Sequence, residues 1–334
     1  MSKVVLDTRR TALICGISGQ DGAYLARFFI ERGYNVVGTS RDAQVSSFSN
    51  LIRLGIRDQV EVVSMAINDF RSVLQVLSRW NPHEIYNLAG QSSVGLSFEQ
   101  PVETLESVII GTLNPLEGVR FLNKNIRFYN AGSSECFGEA GGIPANEDTP
   151  FRPRSPYAVA KSAAFWAVAN YREAYGLYAC SGILFNHESP LRPERFVTQK
   201  IVRAACRIAA GSKEQLFLGN LEIQRDWGWA PEYVEAMWRM LQEDDFRDYV
   251  IATGKTLPLK DFVKDFVEEV FNAVGLDWRD YVNIDPTLMR PTDLAVSRAD
   301  PSKAAENLRW KAKSYMCDVV KKLVAAETQR LYDV

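Results

Sequence analysis

The sequence predicts an α/β fold, a Rossmann-type doubly wound parallel sheet joined to a smaller, discontinuous lobe. Three observations predict it. Short apolar runs of strand length alternate with helix-length segments through the first half of the chain. The first run passes directly into a glycine-rich turn that opens a helix. Further on, a strand candidate ends in Ser133, Ser134 and Glu135, and the next helix candidate carries Tyr157 and Lys161 four positions apart, which places both on one face.

Size and composition bound the possibilities. A chain of 334 residues with 46% hydrophobic content can bury a substantial core, and its formal charge of -2, with acids and bases mixed throughout, gives no general attraction to nucleic acid or anionic membrane. Anionic ligands must then be held by local groups. The five cysteines show no paired metal-ligand spacing and fit a reducing compartment, and only two histidines, His83 and His187, are present, so a built-in metal site is not expected. No signal-peptide core and no apolar stretch of about 18 residues is seen, so a cytoplasmic location is expected.

The elements follow in order. Thr11–Cys15 reads as a strand, Gly16, Ser18, Gly19, Gln20, Asp21 and Gly22 form the turn, and the helix runs to about Arg32. The GxxGxxG spacing lets backbone and a helix N-terminus approach a pyrophosphate. A second strand, Asn35 to Thr39, ends in Ser40 and Arg41, where a carboxylate for a ribose hydroxyl would stand in an NAD site; hydroxyl and guanidinium favour NADP, while nearby Asp42 keeps NAD open. Val60–Ser64 is a strand, Phe70–Arg79 a helix, and Glu84–Leu88 a strand leading into Ala89, Gly90, Gln91 and Ser92, whose small side chains leave room for the nicotinamide half. His83 reads as a loop residue. Val102–Asn123 is a helix that Pro115 kinks or bounds.

Ile126–Asn130 then delivers Ser133 and Glu135 at its C-terminal end, the ligand edge of open α/β sheets. A proline-rich loop precedes the Tyr157–Tyr175 helix, in which the Lys161 ammonium is expected to lower the pKa of the Tyr157 phenol. Tyr178–Phe185 closes a dinucleotide-binding domain of residues 11–185. Residues 186–334 form the lobe, with segments returning to the first domain: polar loops at 186–190, 219–221 and 225–227, Phe196-Val197-Thr198 leading into a helix to about Ala210, helices at Glu232–Leu241, Leu259–Val274 and Cys317–Tyr332, and a strand at Tyr249–Thr253.

Tyr-x-x-x-Lys, Ser133-Ser134-Glu135 and GxxGxxG together resemble the extended short-chain dehydrogenase/reductase superfamily. Longer strings, including residues 19–25, 84–89, 153–161, 182–190, 218–221 and 225–228, resemble the GDP-mannose 4,6-dehydratase family over about Thr11 to Trp310. The resemblance implies a catalytic set of Ser133, Glu135, Tyr157 and Lys161, with serine where threonine is usual. It implies cofactor contacts from His187 and Arg192, beside the glycine turn, Ser40, Arg41, Leu88, Ala89, Gln91 and Ser92. It also implies a nucleotide-sugar-binding lobe, with Asn186, Lys200, Leu218, Asn220, Arg225 and Arg290 serving GDP-mannose or a related GDP-sugar beside Ser92 and the catalytic groups.

The activity so implied is conversion of GDP-mannose to GDP-4-keto-6-deoxy-mannose by internal hydride transfer and water elimination. Departures from the family pattern stand at Ala66, Gly90, Ser93, Glu103, the Arg41–Val45 segment and Trp229. They leave room for another GDP-sugar such as a GDP-heptose, with Trp229 reshaping the sugar pocket, or for a nucleotide-sugar epimerase or reductase. A sugar-nucleotide sensor without turnover is the non-enzymatic alternative. A homodimer or homotetramer is implied, with Ser46-Ser47-Phe48 a contact candidate.

Overall fold

The computed structural model describes residues 9–140, 142–255 and 263–332. Its first half contains β1 (Thr11–Cys15), α1 (Gln20–Ile30), β2 (Asn35–Ser40), α2 (Ser49–Arg53), β3 (Glu61–Ser64), α3 (Phe70–Trp80), β4 (Glu84–Asn87), α4 (Val94–Glu99), α5 (Pro101–Leu105), α6 (Gly111–Phe121), β5 (Arg127–Ala131), α7 (Pro156–Tyr175) and β6 (Ala179–Leu184). The second half contains β7 (Asn186–Glu188), α8 (Val197–Ala209), β8 (Leu216–Leu218), β9 (Trp227–Trp229), α9 (Ala230–Met240), β10 (Tyr249–Ile251), α10 (Val263–Ala273), β11 (Val282–Ile284), α11 (Ser302–Asn307) and α12 (Met316–Tyr332).

Seven strands make one parallel sheet in the order β10-β6-β5-β4-β1-β2-β3. The order reverses between β1 and β4. Both faces are covered, as the continuous apolar strands require: α1 and α9 pack on one side with Phe29, Tyr86 and Met237, and α3 and α6 on the other with Leu77, Val119 and Phe128. Phe29 is fully buried, with its ring centroid 4.7 Å from that of Tyr34 and 5.0 Å from that of Tyr86. Burial of such a ring contributes about 1.5–3 kcal/mol.

A separate apolar cluster joins α8, α10 and α12 through Ile201, Phe266, Phe271 and Leu323. The strand expected near Tyr249 is β10, which pairs in parallel with β6 in the main sheet. The expected helix start at Leu259 lies outside the described residues.

Two expectations change. Residues 186–188 are not loop but β7, paired in parallel with β9, His187 opposite Gly228. Pro115 does not mark the end of the helical run: α5, a π-helical turn at Glu106–Ile110 and α6 follow in succession, with Pro115 inside α6. Proline has no N–H for the carbonyl four residues earlier. Asn87 Nδ2, at the end of β4, donates to that Gly111 carbonyl at 3.3 Å.

Candidate active site

The C-terminal strand ends open onto a cavity of about 1190 Å³. Its floor is the turn after β1. Gly16 has φ +84°, a conformation L side chains rarely adopt. A Cβ on Gly22 would meet the Gly16 carbonyl oxygen at 2.5 Å and Ile17 Cα at 2.8 Å. This tight backbone cradle at the N-terminus of α1, together with the wall that Ala89, Gly90 and Ser92 form beside Leu88 and Gln91, fits a dinucleotide. Ser18 and Gly19 line it too.

The side chains next in the turn face sideways into the second half of the chain. Ser189 Oγ donates to Gln20 Oε1 at 2.7 Å, Gln20 Nε2 donates to the His187 carbonyl at 3.2 Å, and Asp21 Oδ2 lies 2.9 Å from His187 Nε2. His187 Nδ1 lies 2.7 Å from the Phe185 carbonyl, and the ring stacks on Tyr233 at 4.5 Å between centroids. With an acceptor at each ring nitrogen, the imidazolium is favoured. Although burial opposes each charged form, Asp21 is held below the usual carboxylate range by the His187 cation and hydrogen bonds, and the Asp21 charge raises His187.

Ser133, Glu135, Tyr157 and Lys161 all reach this cavity. Ser133 caps the one-turn helix Ser134–Phe137 that follows β5, its Oγ accepting from the Glu135 N–H at 3.3 Å. Helix α7 starts where its sequence says it should: Ser155 Oγ accepts from the Ala158 N–H at 3.1 Å, Pro156 occupies the first turn, and Gly176 closes the far end at φ +64°. Tyr157 and Lys161 consequently leave one buried face near its N-terminus.

The electrostatics differ from the sequence expectation. Burial raises the Tyr157 phenol well above its ordinary value, with the Ser133 hydroxyl opposing, and lowers the Lys161 ammonium to about 8. Desolvation is the largest cause of both shifts, and Lys161 Nζ itself donates to the Ala131 carbonyl at 2.7 Å. Burial also raises Glu135, which Arg225 and Arg290 oppose.

The opposite wall carries Asn186, Lys200, Leu218, Arg225 and Arg290. Arg225 is buried, its Nη1 donating to the Gln224 and Leu294 carbonyls at 2.8 and 2.7 Å and its Nη2 to Asp293 at 2.8 Å. Arg290 approaches the same Asp293 carboxylate at 3.6 Å. Lys200 Nζ donates to the Phe217 carbonyl at 2.7 Å. Arg192 lines the cavity too, its guanidinium 3.9 Å from the Phe196 ring centroid. Ser40 and Arg41 line the far end.

Asn220 is the expected site residue that does not line the cavity. It is exposed, and its Oδ1 accepts from the Glu222 N–H at 2.8 Å, stabilising its own turn. Trp229 is also outside the lining; it packs under the Lys322 ammonium, 5.0 Å from the ring centroid. Sequence reasoning missed Glu188 and Thr198, buried lining residues joined by a 2.7 Å hydrogen bond, and Arg195 and Leu288. The Asn186-to-Pro190 string contains Glu188, but a carboxylate among polar residues carries no signal of burial.

Comparison with known proteins agrees with this architecture. Residues 13–323 match the family model described as GDP-mannose 4,6 dehydratase. GDP-mannose 4,6 dehydratase 1 of Arabidopsis thaliana is 46% identical over 330 residues, covering 96% of this chain and 90% of that protein. GDP-mannose 4,6-dehydratase of Sinorhizobium fredii is 44% identical over 346 residues, covering 97% and 98%. Among solved structures, UDP-glucose 4-epimerase of Thermotoga maritima superposes with a TM-score of 0.85 at 22% identity, covering 97% of this chain and 100% of that chain. dTDP-glucose 4,6-dehydratase of Bacillus anthracis, in complex with NAD, superposes with a TM-score of 0.81 at 17% identity, covering 95% and 96%. The structural likenesses establish the fold, and the family match with its full-length relatives establishes that this chain belongs to the GDP-mannose 4,6-dehydratase family.

Proposed function

We propose that the protein is a GDP-mannose 4,6-dehydratase, a lyase that converts GDP-mannose to GDP-4-keto-6-deoxy-mannose. The observation that carries the chemistry is the convergence of Glu135 and Ser133, from the end of β5, with the Tyr157–Lys161 face of α7 in one cavity. Family membership supports the substrate. The cofactor is a nicotinamide dinucleotide held by the Gly16–Gly22 turn and the Leu88–Ser92 wall, and NADP is the form that Arg41 supports. When bound, the nicotinamide accepts a hydride from the sugar and returns it, so no cofactor is consumed.

The protein's groups handle protons and position. As its phenolate, a form that burial disfavours and the Lys161 ammonium favours, Tyr157 takes the proton of the sugar C4 hydroxyl, with Ser133 hydrogen-bonding the same oxygen. The 4-ketone acidifies the C5–H. Glu135 removes that proton and delivers it to the departing C6 hydroxyl, which leaves as water; C5 then takes a proton from solvent, and Tyr157 releases the C4 hydroxyl proton to solvent, so the protons balance. A carboxylate whose pKa is raised by burial suits such a two-way transfer. Arg225 and Arg290, drawn together by Asp293, support binding of the diphosphate, with Asn186, Lys200 and Leu218 beside them.

In this reading residues 11–185 hold mainly the dinucleotide and residues 186–334 mainly the nucleotide sugar, in a homodimer or homotetramer of the cytoplasm. Incubation of the protein with GDP-mannose and oxidised cofactor tests it. A 4-keto-6-deoxy sugar forms without net accumulation of reduced cofactor; an intact hexose product, or ligand binding without turnover, refutes it.

A further inference from the structure

At the end of β2 the cavity wall places beside Arg41 a carboxylate that the proposed chemistry does not use. Arg41 and Glu103 both line the cavity, one beyond β2 and the other on α5, and Arg41 Nη1 lies 3.8 Å from Glu103 Oε1. Their side chains are 86% and 50% exposed, so water screens the pair and neither group is locked to the other. A competing anion can therefore separate them.

The remaining polar groups of this turn are already engaged. Ser46 Oγ gives its hydrogen to the Asp42 carbonyl at 2.6 Å, so at the 2.6 Å contact between Ser40 and Ser46 it is Ser40 that donates. The Ser40 hydroxyl thus has no hydrogen left for a phosphate oxygen. Asp42 Oδ1 accepts from the Gln44 and Val45 N–H groups at 2.9 and 3.4 Å, keeping a second carboxylate in the turn. Arg41 is the cationic donor this turn offers, and it faces Glu103.

Building on the reading of this cavity as a nicotinamide dinucleotide site, we infer that Glu103 is a specificity-determining residue that competes with the cofactor's 2′-phosphate for Arg41. A dianionic phosphate at Arg41 must displace Glu103 and then remain near its charge, whereas a 2′-hydroxyl does neither. Glu103 thereby weakens the preference for NADP over NAD without touching the reacting end of the cofactor.

The test is direct binding of NADP and of NAD to the full chain at low ionic strength, followed by calorimetry, for wild type, Glu103→Gln, Arg41→Met and the double variant. Glu103→Gln tightens NADP about three- to tenfold and leaves NAD within about 1.5-fold, and the gain shrinks towards none near 1 M salt. In the Arg41→Met background the same substitution gives no gain. A Glu103→Gln variant that shifts both cofactors equally, or neither, overturns the inference about Glu103 alone, provided Arg41→Met still weakens NADP selectively. If Arg41→Met leaves both affinities unchanged, the assignment of the 2′-phosphate to Arg41 fails, and the inference falls with it. Absence of binding by either dinucleotide to the wild type refutes the cofactor site itself.

Discussion

Lys161 Nζ donates a 2.7 Å hydrogen bond to the Ala131 carbonyl while lying 5.8 Å from the centroid of the Tyr157 ring. The contact ties the first turns of α7 to the end of β5, the strand that leads into Ser133 and Glu135. It also leaves a buried ammonium with one protein acceptor among the described residues, and burial brings its pKa down to about 8. A lowered lysine pKa means that the charge is lost at a lower pH than in free lysine. The expected result is a kcat/KM profile that falls as pH rises through about 8, and a Lys161→Met variant that lacks this limb and is slower by about 10²-fold or more. A wild-type profile flat to about pH 10 contradicts this role for Lys161.

Glu135→Gln separates elimination from binding. The amide keeps the shape and can still hydrogen-bond, but it cannot take the C5 proton. Product formation is expected to fall by roughly 10²–10⁴-fold, while calorimetry finds the GDP-mannose affinity within about threefold of wild type, since Arg225 and Arg290 are untouched. Uptake of solvent deuterium at C5 disappears in the variant. Continued elimination near the wild-type rate removes Glu135 from the proposed mechanism.

These groups were legible in the sequence because local rules place them. Ser155, Pro156 and Gly176 delimit α7, its period fixes Tyr157 and Lys161 on one face, and the glycine spacing marks the turn after β1. What the sequence did not carry is long-range. β7 and β9 are each three residues long and find one another across some forty residues, so neither has a recognisable pattern. Asp293 becomes the meeting point of two arginines only after the chain has folded back. The direction of the Tyr157 and Lys161 shifts depended on burial, which spacing does not report. Asn220 lay in a string shared with the family, yet its side chain serves its own turn.

Gly22→Ala tests the cradle. The new methyl would sit 2.5 Å from the Gly16 carbonyl oxygen and 2.8 Å from Ile17 Cα, both backbone atoms that no rotamer change can move. The turn must open or α1 must shift. Overpacking of this kind costs about 1–3 kcal/mol, so denaturant unfolding should show a loss in that range, and dinucleotide affinity should fall at least about tenfold while GDP affinity changes little. Unchanged stability together with unchanged cofactor affinity contradicts the tight approach.

The Asp21–His187 pair makes stability depend on pH in a defined direction. His187 is raised from 6.5, so its contribution is complete below that unfolded value and disappears as pH rises through the higher folded one. Asp21 is lowered from 3.8, so its contribution is complete above that value and disappears as pH falls through the lower folded one. Both are present together between 3.8 and 6.5. Asp21→Asn removes the charge while keeping the size, and it is expected to cost about 1.5–3 kcal/mol within that window, the range for a hydrogen bond between charged groups. The difference from wild type should narrow above the window as His187 loses its proton. Denaturant unfolding of wild type and variant across this pH range measures it, and a difference independent of pH would mean that the pair contributes by packing rather than by charge.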